Sequence, residues 1–373
     1  METTIQDLLA PSTVVAAISQ LDLPGSSLQK LFGWGLSGTN KQKHRGREFA
    51  YDIFNHTRKV ATARGPGQAS ARTSPQSIGK ITGAFPRAAE TISLLDEDLL
   101  NRRALGESGN TLDAMGQSYV TRQEAYLAQR FVNLVELQTA AMLRGKYGYT
   151  ALGDDLIHGF GNGDVTVDFQ IPDSHRGQLD MLGEGNLLDA DWADPQTDIP
   201  GHLQDINAAL VQRCGMGLSH VVLTGIGWQH VVNNEVVQDM GGSTNQVYAS
   251  LERASAGEFR ATLRALPWVT FHVVDYGLEV FDGSEEVFTK LVEDDHAAFL
   301  PEISPRWTHY LEGSEIVTDG PGGNRAEQYG FYATSYATHD PSGWNLMAVM
   351  NGIPALTIPE AVAYGQISGG MYA

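Results

Sequence analysis

Apolar side chains recur at helical spacing between Thr121 and Gly145: Leu127, Phe131, Leu134 and Met142, with Val135 and Ala141 widening the stripe. Arg122, Arg130, Glu136 and Arg144 fall mostly off it, so one face of this segment is built for burial. Thr121-Arg122-Gln123-Glu124 has the spacing of a capping box, which predicts a helix start at Thr121. Arg144 suits the negative end of the helix dipole, and Gly145 supplies the left-handed stop. At 1.5 Å per residue the predicted rod is about 35 Å long, so other elements can be carried along its length.

Ahead of this helix, a weakly amphipathic piece at Ile5 to Ile18 leads into a Gly-rich run from Pro24 to Gly38. That run carries Leu28, Leu31, Phe32, Trp34 and Leu36, too many apolar groups to leave in water, so a tertiary or intersubunit surface must cover them. Glu48 to Phe54 and Arg58 to Ala63 alternate as strands. Gly65-Pro66-Gly67 and small residues to Pro75 follow, and Ser77 to Phe85 is again strand-like, which together predict a long β-hairpin.

Behind the helix, Tyr147 to Gly163 is Gly-rich and Val165 to Phe169 alternates as a strand, with a boundary at Trp192-Ala193-Asp194-Pro195. A helix at His202 to Cys214, a strand at His220 to Thr224, a turn at Gly225 to Gly227 and a helix near Trp228 to Val237 suggest a second domain with β-then-α order. The pattern continues with a helix at Ala256 to Leu266, a strand at Trp268 to Val274, a hairpin around Asp282-Gly283 and a strand at Ala298 to Pro301. Residues 312 to 330 read as an acidic loop. Trp344 to Ile367 reads as two extended pieces split near Asn351 to Pro354.

Charge sharpens this picture. The chain of 373 residues is long enough for two or three domains, and its formal charge is -19. Residues 41 to 80 hold nine Lys and Arg against Glu48 and Asp52, a local +7, which leaves -26 on the rest. An acidic body does not wrap nucleic acid through its whole surface. The basic hairpin is either a solvated loop or an arm that lies on an acidic neighbouring copy. Cys214 stands alone, so no intrachain disulfide forms, and it reads as a buried small residue. Neither a signal peptide nor a membrane span is expected.

No constellation carries chemistry. Gly225-Ile226-Gly227 follows a strand, but His230 occupies the third glycine position of a dinucleotide fingerprint. Gly159-Phe160-Gly161-Asn162-Gly163 leads into a strand and offers no helix N-terminus to an anion. Glu293-Asp294-Asp295-His296 has metal-compatible groups, yet consecutive side chains on a regular element diverge. No Gly-x-Ser-x-Gly elbow or zincin spacing occurs. The expectation is therefore no catalytic residue, no cofactor and no metal.

The order of elements resembles the major capsid proteins of tailed phages, the lambda-type head protein (capsid protein E) family with the Hong Kong 97 fold. Arg58-Lys59-Val60-Ala61-Thr62-Ala63-Arg64-Gly65 is similar to that family's basic hairpin strand, and Leu94-Leu95-Asp96-Glu97-Asp98 to the acidic stretch leaving it. Leu143-Arg144-Gly145-Lys146-Tyr147 resembles the end of its spine helix. Asp194-Pro195 with Asp198-Ile199, Val221-Val222-Leu223 with Gly227-Trp228, and Pro354 to Ile367 resemble its axial domain and closing strands.

The resemblance implies an α+β chain divided into an N-terminal arm (1–44), an E-loop hairpin (45–93), a peripheral domain (94–193 and 341–373) with spine helix 121–145, and an axial domain (194–340). It implies hexamers and pentamers of an icosahedral phage head, assembled in the host cytoplasm, which enclose double-stranded DNA without reading its sequence. A scaffolding protein, a portal and a decoration protein are the implied partners. Intersubunit contacts are expected from Arg58, Lys59, Arg64 and Arg72 to Asp96, Glu97, Asp98, Glu124 or Glu136, with Phe32 and Trp34 buried between copies. An encapsulin-like compartment and, from a different class, a cytosolic α/β hydrolase stand as alternatives.

Overall fold

The structure, a computed structural model, describes residues 26–36, 38–54, 78–95, 114–150, 158–160, 163–240, 248–255, 258–281, 285–319, 324–339 and 342–369. Its longest helix, α2 (Ala114–Arg144), follows a short α1 (Ser27–Phe32). It begins seven residues before the expected start, so Thr121 lies inside it, exposed, and the capping-box reading fails. The buried stripe explains why: it already includes Val120, and Glu124 turns onto it instead of reaching back to a cap. At 31 residues the rod is about 46 Å long. It ends where expected, at Gly145 with φ 99°. Residues 135–143 are all buried, so the second half of α2 is enclosed on every side instead of along one face.

Two sheets flank this rod. One is built on the strand Ser342–Leu356, which pairs antiparallel with Arg87–Leu95 on one edge, with Phe331–His339 on the other and, beyond those, with Thr308–Asp319. The expected split at Asn351 to Pro354 is absent. Pro354 is tolerated because residues 352–356 have one strand partner instead of two, so the missing N–H costs no second ladder bond. Lys41–His44 and Asn324–Tyr329 complete this sheet on Thr308–Asp319. Residues 312–330, expected as a loop, are thus largely strand. Charge misled that reading, because the acidic groups lie on a half-solvated ribbon. Gly352 passes so close to Tyr310 that a Cβ there would meet the ring at 2.3 Å, and the approach lets Gln138 of α2 reach both the Gly352 carbonyl (3.2 Å) and the Tyr310 hydroxyl (2.7 Å).

The second sheet has seven strands in the order Tyr248–Ser255, Glu258–Leu263, Thr270–Val273, Leu218–Leu223, His296–Pro301, Ala363–Gln366 and Arg176–Gly177. The helix expected at Ala256 to Leu266 is instead part of an antiparallel pair, Tyr248–Ser255 with Glu258–Leu263, because Ala261 and Leu263 both face the core at period two. Helix α3 (Ile199–Cys214) starts three residues early, where Asp198 accepts from the Gly201 amide at 3.0 Å. Helix α4 (Gly225–Asn233) follows the strand directly, capped by Thr224, and α5 (Glu235–Met240) comes after it. Lys146–Tyr149, which runs into the Gly-rich stretch, pairs with Val165–Asp168. Residues 363–366 close the second sheet while 342–356 anchor the first, so the C-terminal segment stitches the two together. Strand pairing also crosses the boundary drawn at residue 340. Cys214 is buried and its thiol donates to the Leu210 carbonyl at 3.2 Å.

Candidate assembly interface

The N-terminal helix α1 turns inward. Leu28 and Phe32 are each 1% exposed and Trp34 is 3% exposed. Phe32 packs edge-on against Trp34 (4.7 Å) and Trp307 (6.0 Å), and Trp34 against Tyr310 (5.8 Å). The rings of Phe32 and Trp34 are therefore covered within their own chain, which corrects their expected role between copies, although Trp34 Nε1 meets no hydrogen-bond partner among the described residues. The sequence required a cover for them; the sheet carrying Trp307 and Tyr310 provides it.

The same helix accounts for Glu136. Its Oε1 accepts from the Gln29 backbone amide (3.3 Å) and from Gln29 Nε2 (3.4 Å). Burial, and then the charge of Glu258, hold its carboxyl well above the ordinary carboxylate range. Glu258 is itself buried and accepts from the Ser27 hydroxyl. The front of α1 thus bridges a carboxylate on α2 to one on the seven-stranded sheet. Glu124 is also buried, 3% exposed, and desolvation pushes it up to about 7. Neither Glu124 nor Glu136 presents a carboxylate that a neighbour's arginine could reach, which corrects their expected role as sibling contacts. Periodicity missed this because the face bearing Glu136 is covered by α1, an element remote in sequence.

The hairpin behaves differently. Strands Glu48–Phe54 and Ile78–Ala84 pair in register from Glu48 with Ala84 to Phe54 with Ile78. Phe49, Tyr51, Ile53 and Ile81 are buried along its inner face, and Phe49 packs on Phe85 at 5.3 Å. Both ends of the ladder are tied to the body, one by Tyr149 Oη donating to Ala84 O (3.1 Å) and the other by the Phe54 amide donating to Thr357 O (2.8 Å). At that second end the side chains of Phe54 and Ile78 are 43% and 55% exposed. Arg58, Lys59, Arg64 and Arg72, and likewise Asp96, Glu97 and Asp98, lie outside the described residues.

Part of the basic segment is spent inside the chain. Lys41 pairs with Glu312 at 2.9 Å, Arg45 with Glu327 at 3.5 Å, and Lys43 lies over the Tyr329 ring at 5.2 Å. The acidic ribbon 308–329 is therefore a partner for the first cations of the segment, in the same subunit. Composition counted both charges but could not pair them.

A third cluster joins α2 to the seven-stranded sheet. Arg144 donates to the Lys290 and Leu291 carbonyls (2.8 and 3.0 Å) and to Glu293 (3.0 Å), with its guanidinium 3.8 Å over Phe160. His296 Nδ1 lies 2.8 Å from Asp295 Oδ1 and 3.3 Å from Glu293 Oε2, and its ring stacks on Tyr364. Gln366 donates to Asp295 at 3.2 Å. The side chains of Glu293, Asp295 and His296 converge within 4.8 Å, contrary to the expected divergence, because residues 293–296 form a turn and not a regular element. Their polar atoms engage Arg144, Gln366 and one another, which makes the cluster a joint. Sequence reading missed it, since its members come from three distant segments. Among the described residues, no helix is long and apolar enough to cross a membrane.

Comparison with known proteins gives a family model, phage major capsid protein E, that matches residues 12–367. A search of curated proteins finds no match. Among solved structures, the chain is similar to a protein assigned as the capsid protein of a prophage in E. coli CFT073, at 14% identity over 99% of this chain and 100% of that one, with a TM-score of 0.53. It is also similar to a phage-related protein from Bordetella bronchiseptica RB50 (12% identity, 98% and 99% covered, TM-score 0.46) and to the mature capsid of bacteriophage PhiM1 (9% identity, 88% and 85% covered, TM-score 0.44).

Proposed function

Since the chain belongs to the phage major capsid protein E family and has the Hong Kong 97-type fold, it is a structural shell protein of a virion, and we propose that the tip of its hairpin makes the contacts that set the geometry of the shell. The observation that carries this reading is that the hairpin buries Phe49, Tyr51, Ile53 and Ile81 on the subunit while the side chains of Phe54 and Ile78, the last described pair ahead of the cation-rich residues 55–77, stay exposed. A donor element of this kind meets a different patch on the next copy, and such heterologous contacts close into rings.

In this reading Arg58, Lys59, Arg64 and Arg72 meet Asp96, Glu97 and Asp98 of a sibling. Each exposed pair contributes about 0.2–1 kcal/mol, so charge sets register while apolar burial at Phe54 and Ile78 supplies cohesion. The copies form hexamers and pentamers around double-stranded DNA, and assembly takes place in the host cytoplasm with a scaffolding protein, a portal and a decoration protein as partners. The acidic body suits a wall that contains the genome without trapping it. The subunit divides into a peripheral part on α2 and the sheet of Ser342–Leu356, and an axial part on the seven-stranded sheet. An encapsulin-like compartment is the neighbouring reading, and the match to a phage capsid family favours the virion.

Reversing Arg64 and Arg72 to Glu tests the hairpin. Folded subunits that no longer form particles in negative-stain images are expected. Normal shells from that variant would remove the tip from the assembly contact.

A further inference from the structure

Helix α1 closes over two carboxylates that come from different elements of the subunit. Glu136 lies on α2, and Glu258 opens the strand Glu258–Leu263 of the seven-stranded sheet; both are buried. The front of α1 meets each of them, Glu258 through the Ser27 hydroxyl and Glu136 through the backbone and side-chain amides of Gln29. Gln29 has little freedom to turn away. Its Nε2 also donates to the Val132 carbonyl (3.5 Å), and Gly35 passes so close that a Cβ there would stand 2.3 Å from Gln29 Oε1. The two bonds to Glu136 are long, 3.3 and 3.4 Å, and both fall on Oε1, while Oε2 has no hydrogen-bond partner among the described residues. An ionised Glu136 would hold a bare anionic oxygen out of water, which costs more than a neutral hydroxyl. The groups that face it give no relief. Glu258 adds negative charge from the sheet, Tyr276 beyond the strand Thr270–Val273 is a phenol whose hydroxyl donates to Asn133 (3.5 Å), and the one cation of α1, Lys30, is exposed.

We propose that α1 is a proton-dependent latch: its front stays seated while Glu136 is neutral and lets go when Glu136 ionises beside Glu258. Only the front is gated. At the rear Phe32 packs on Trp307, and Asn40 holds the turn after the helix, its side chain donating to the Phe32 and Thr308 carbonyls (both 3.1 Å). None of those contacts involves a carboxylate. Release gives Glu136 access to water, where its carboxyl returns to the ordinary range, and this fixes the sign. Seating is complete below that range and is lost as pH rises toward the value that burial imposes, the seating equilibrium changing by up to about tenfold per pH unit in between. The front of α1 is what bridges the two carboxylates, so rising pH loosens the link between α2 and the seven-stranded sheet while Phe32 and Trp34 stay covered. This inference does not depend on the role proposed for the hairpin.

The test is hydrogen exchange on the full chain, read by mass spectrometry and corrected for the intrinsic pH dependence of exchange. Between about pH 6 and pH 8, protection of residues 26–31 should fall by about tenfold or more, while that of residues 38–44 should hold. Glu136→Gln, which cannot ionise, should abolish the fall. Glu258→Gln should shrink it, because the neighbouring charge is gone, and this variant reads the same latch if Glu136→Gln folds poorly. Glu124→Gln removes another buried carboxylate of α2 and should leave the fall at residues 26–31 intact. Level protection across this range in the parent, a fall that survives Glu136→Gln or is unchanged by Glu258→Gln, or one that Glu124→Gln abolishes would each overturn the proposal.

Discussion

Helix α1 and the hairpin 48–84 are neighbours in sequence, both carry apolar side chains beyond what water tolerates, and they meet opposite fates. Phe32 and Trp34 are sealed under Trp307 and Tyr310, whereas Phe54 and Ile78 stay near half-exposed. An apolar run announces that a cover is needed; it does not announce whether the cover is the same molecule. The same holds for charge. Lys41 and Arg45 find Glu312 and Glu327 within the chain, while the cations of residues 55–77 are the ones the proposal assigns to siblings.

The sharpest way to break this contrast is Phe32→Ala. Loss of a fully buried ring among aromatics should cost about 3–5 kcal/mol in denaturant unfolding of dissociated subunits. If the loss appears only in assembled particles, α1 belongs to an interface after all. Next, Arg144→Ala removes the charged donor that holds the Lys290 and Leu291 carbonyls. A loss of about 1.5–3 kcal/mol is expected, with faster hydrogen exchange across residues 286–301 and none in the strand Glu48–Phe54.

The buried carboxylates give a pH signature that an exposed hairpin cannot. Glu124 and Glu136 both hold protons more tightly when folded than when unfolded. Their contribution to stability is therefore complete below the unfolded carboxylate value and is lost as pH rises through the folded one, about 7 for Glu124. Glu124→Gln should flatten that fall, raising Tm at pH 8 by about 2–4 °C with little change at pH 5; an unchanged pH profile would place Glu124 in water. The smallest effect is expected from Arg87→Ala. Its pair with Glu315 is 2.9 Å long but partly solvated, so about 0.2–1 kcal/mol in unfolding and no change in particle yield should result.

Several elements were legible for local reasons. Gly145 stops α2 because only glycine enters the left-handed region without cost, the period-two strand Glu48–Phe54 follows from side chains alternating across a pleat, and the strands at 218–223 and 296–301 are short apolar runs buried over most of their length. The errors share a cause. Thr121 offered a cap, Asn351 to Pro354 offered a break, and the acidic stretch at 312–330 offered a loop, but in each case burial or strand pairing outweighed the local preference. Val120 extended the buried stripe, a one-sided ladder accommodated Pro354, and Tyr329 found Ser314 across a ribbon.

By itself, the sequence determined that there would be a long central helix with a glycine stop, a β-hairpin ahead of it, an acidic body with a basic segment, and apolar residues near Phe32 in need of burial. These are properties of spacing and composition, which act over a few residues or over the whole chain. Only the tertiary structure decided that Glu136 meets Gln29, that Arg144 locks onto the turn before His296, and that Lys41 meets Glu312. Each of those pairings joins segments far apart along the chain, and its strength depends on how deeply the surrounding core removes water from both partners.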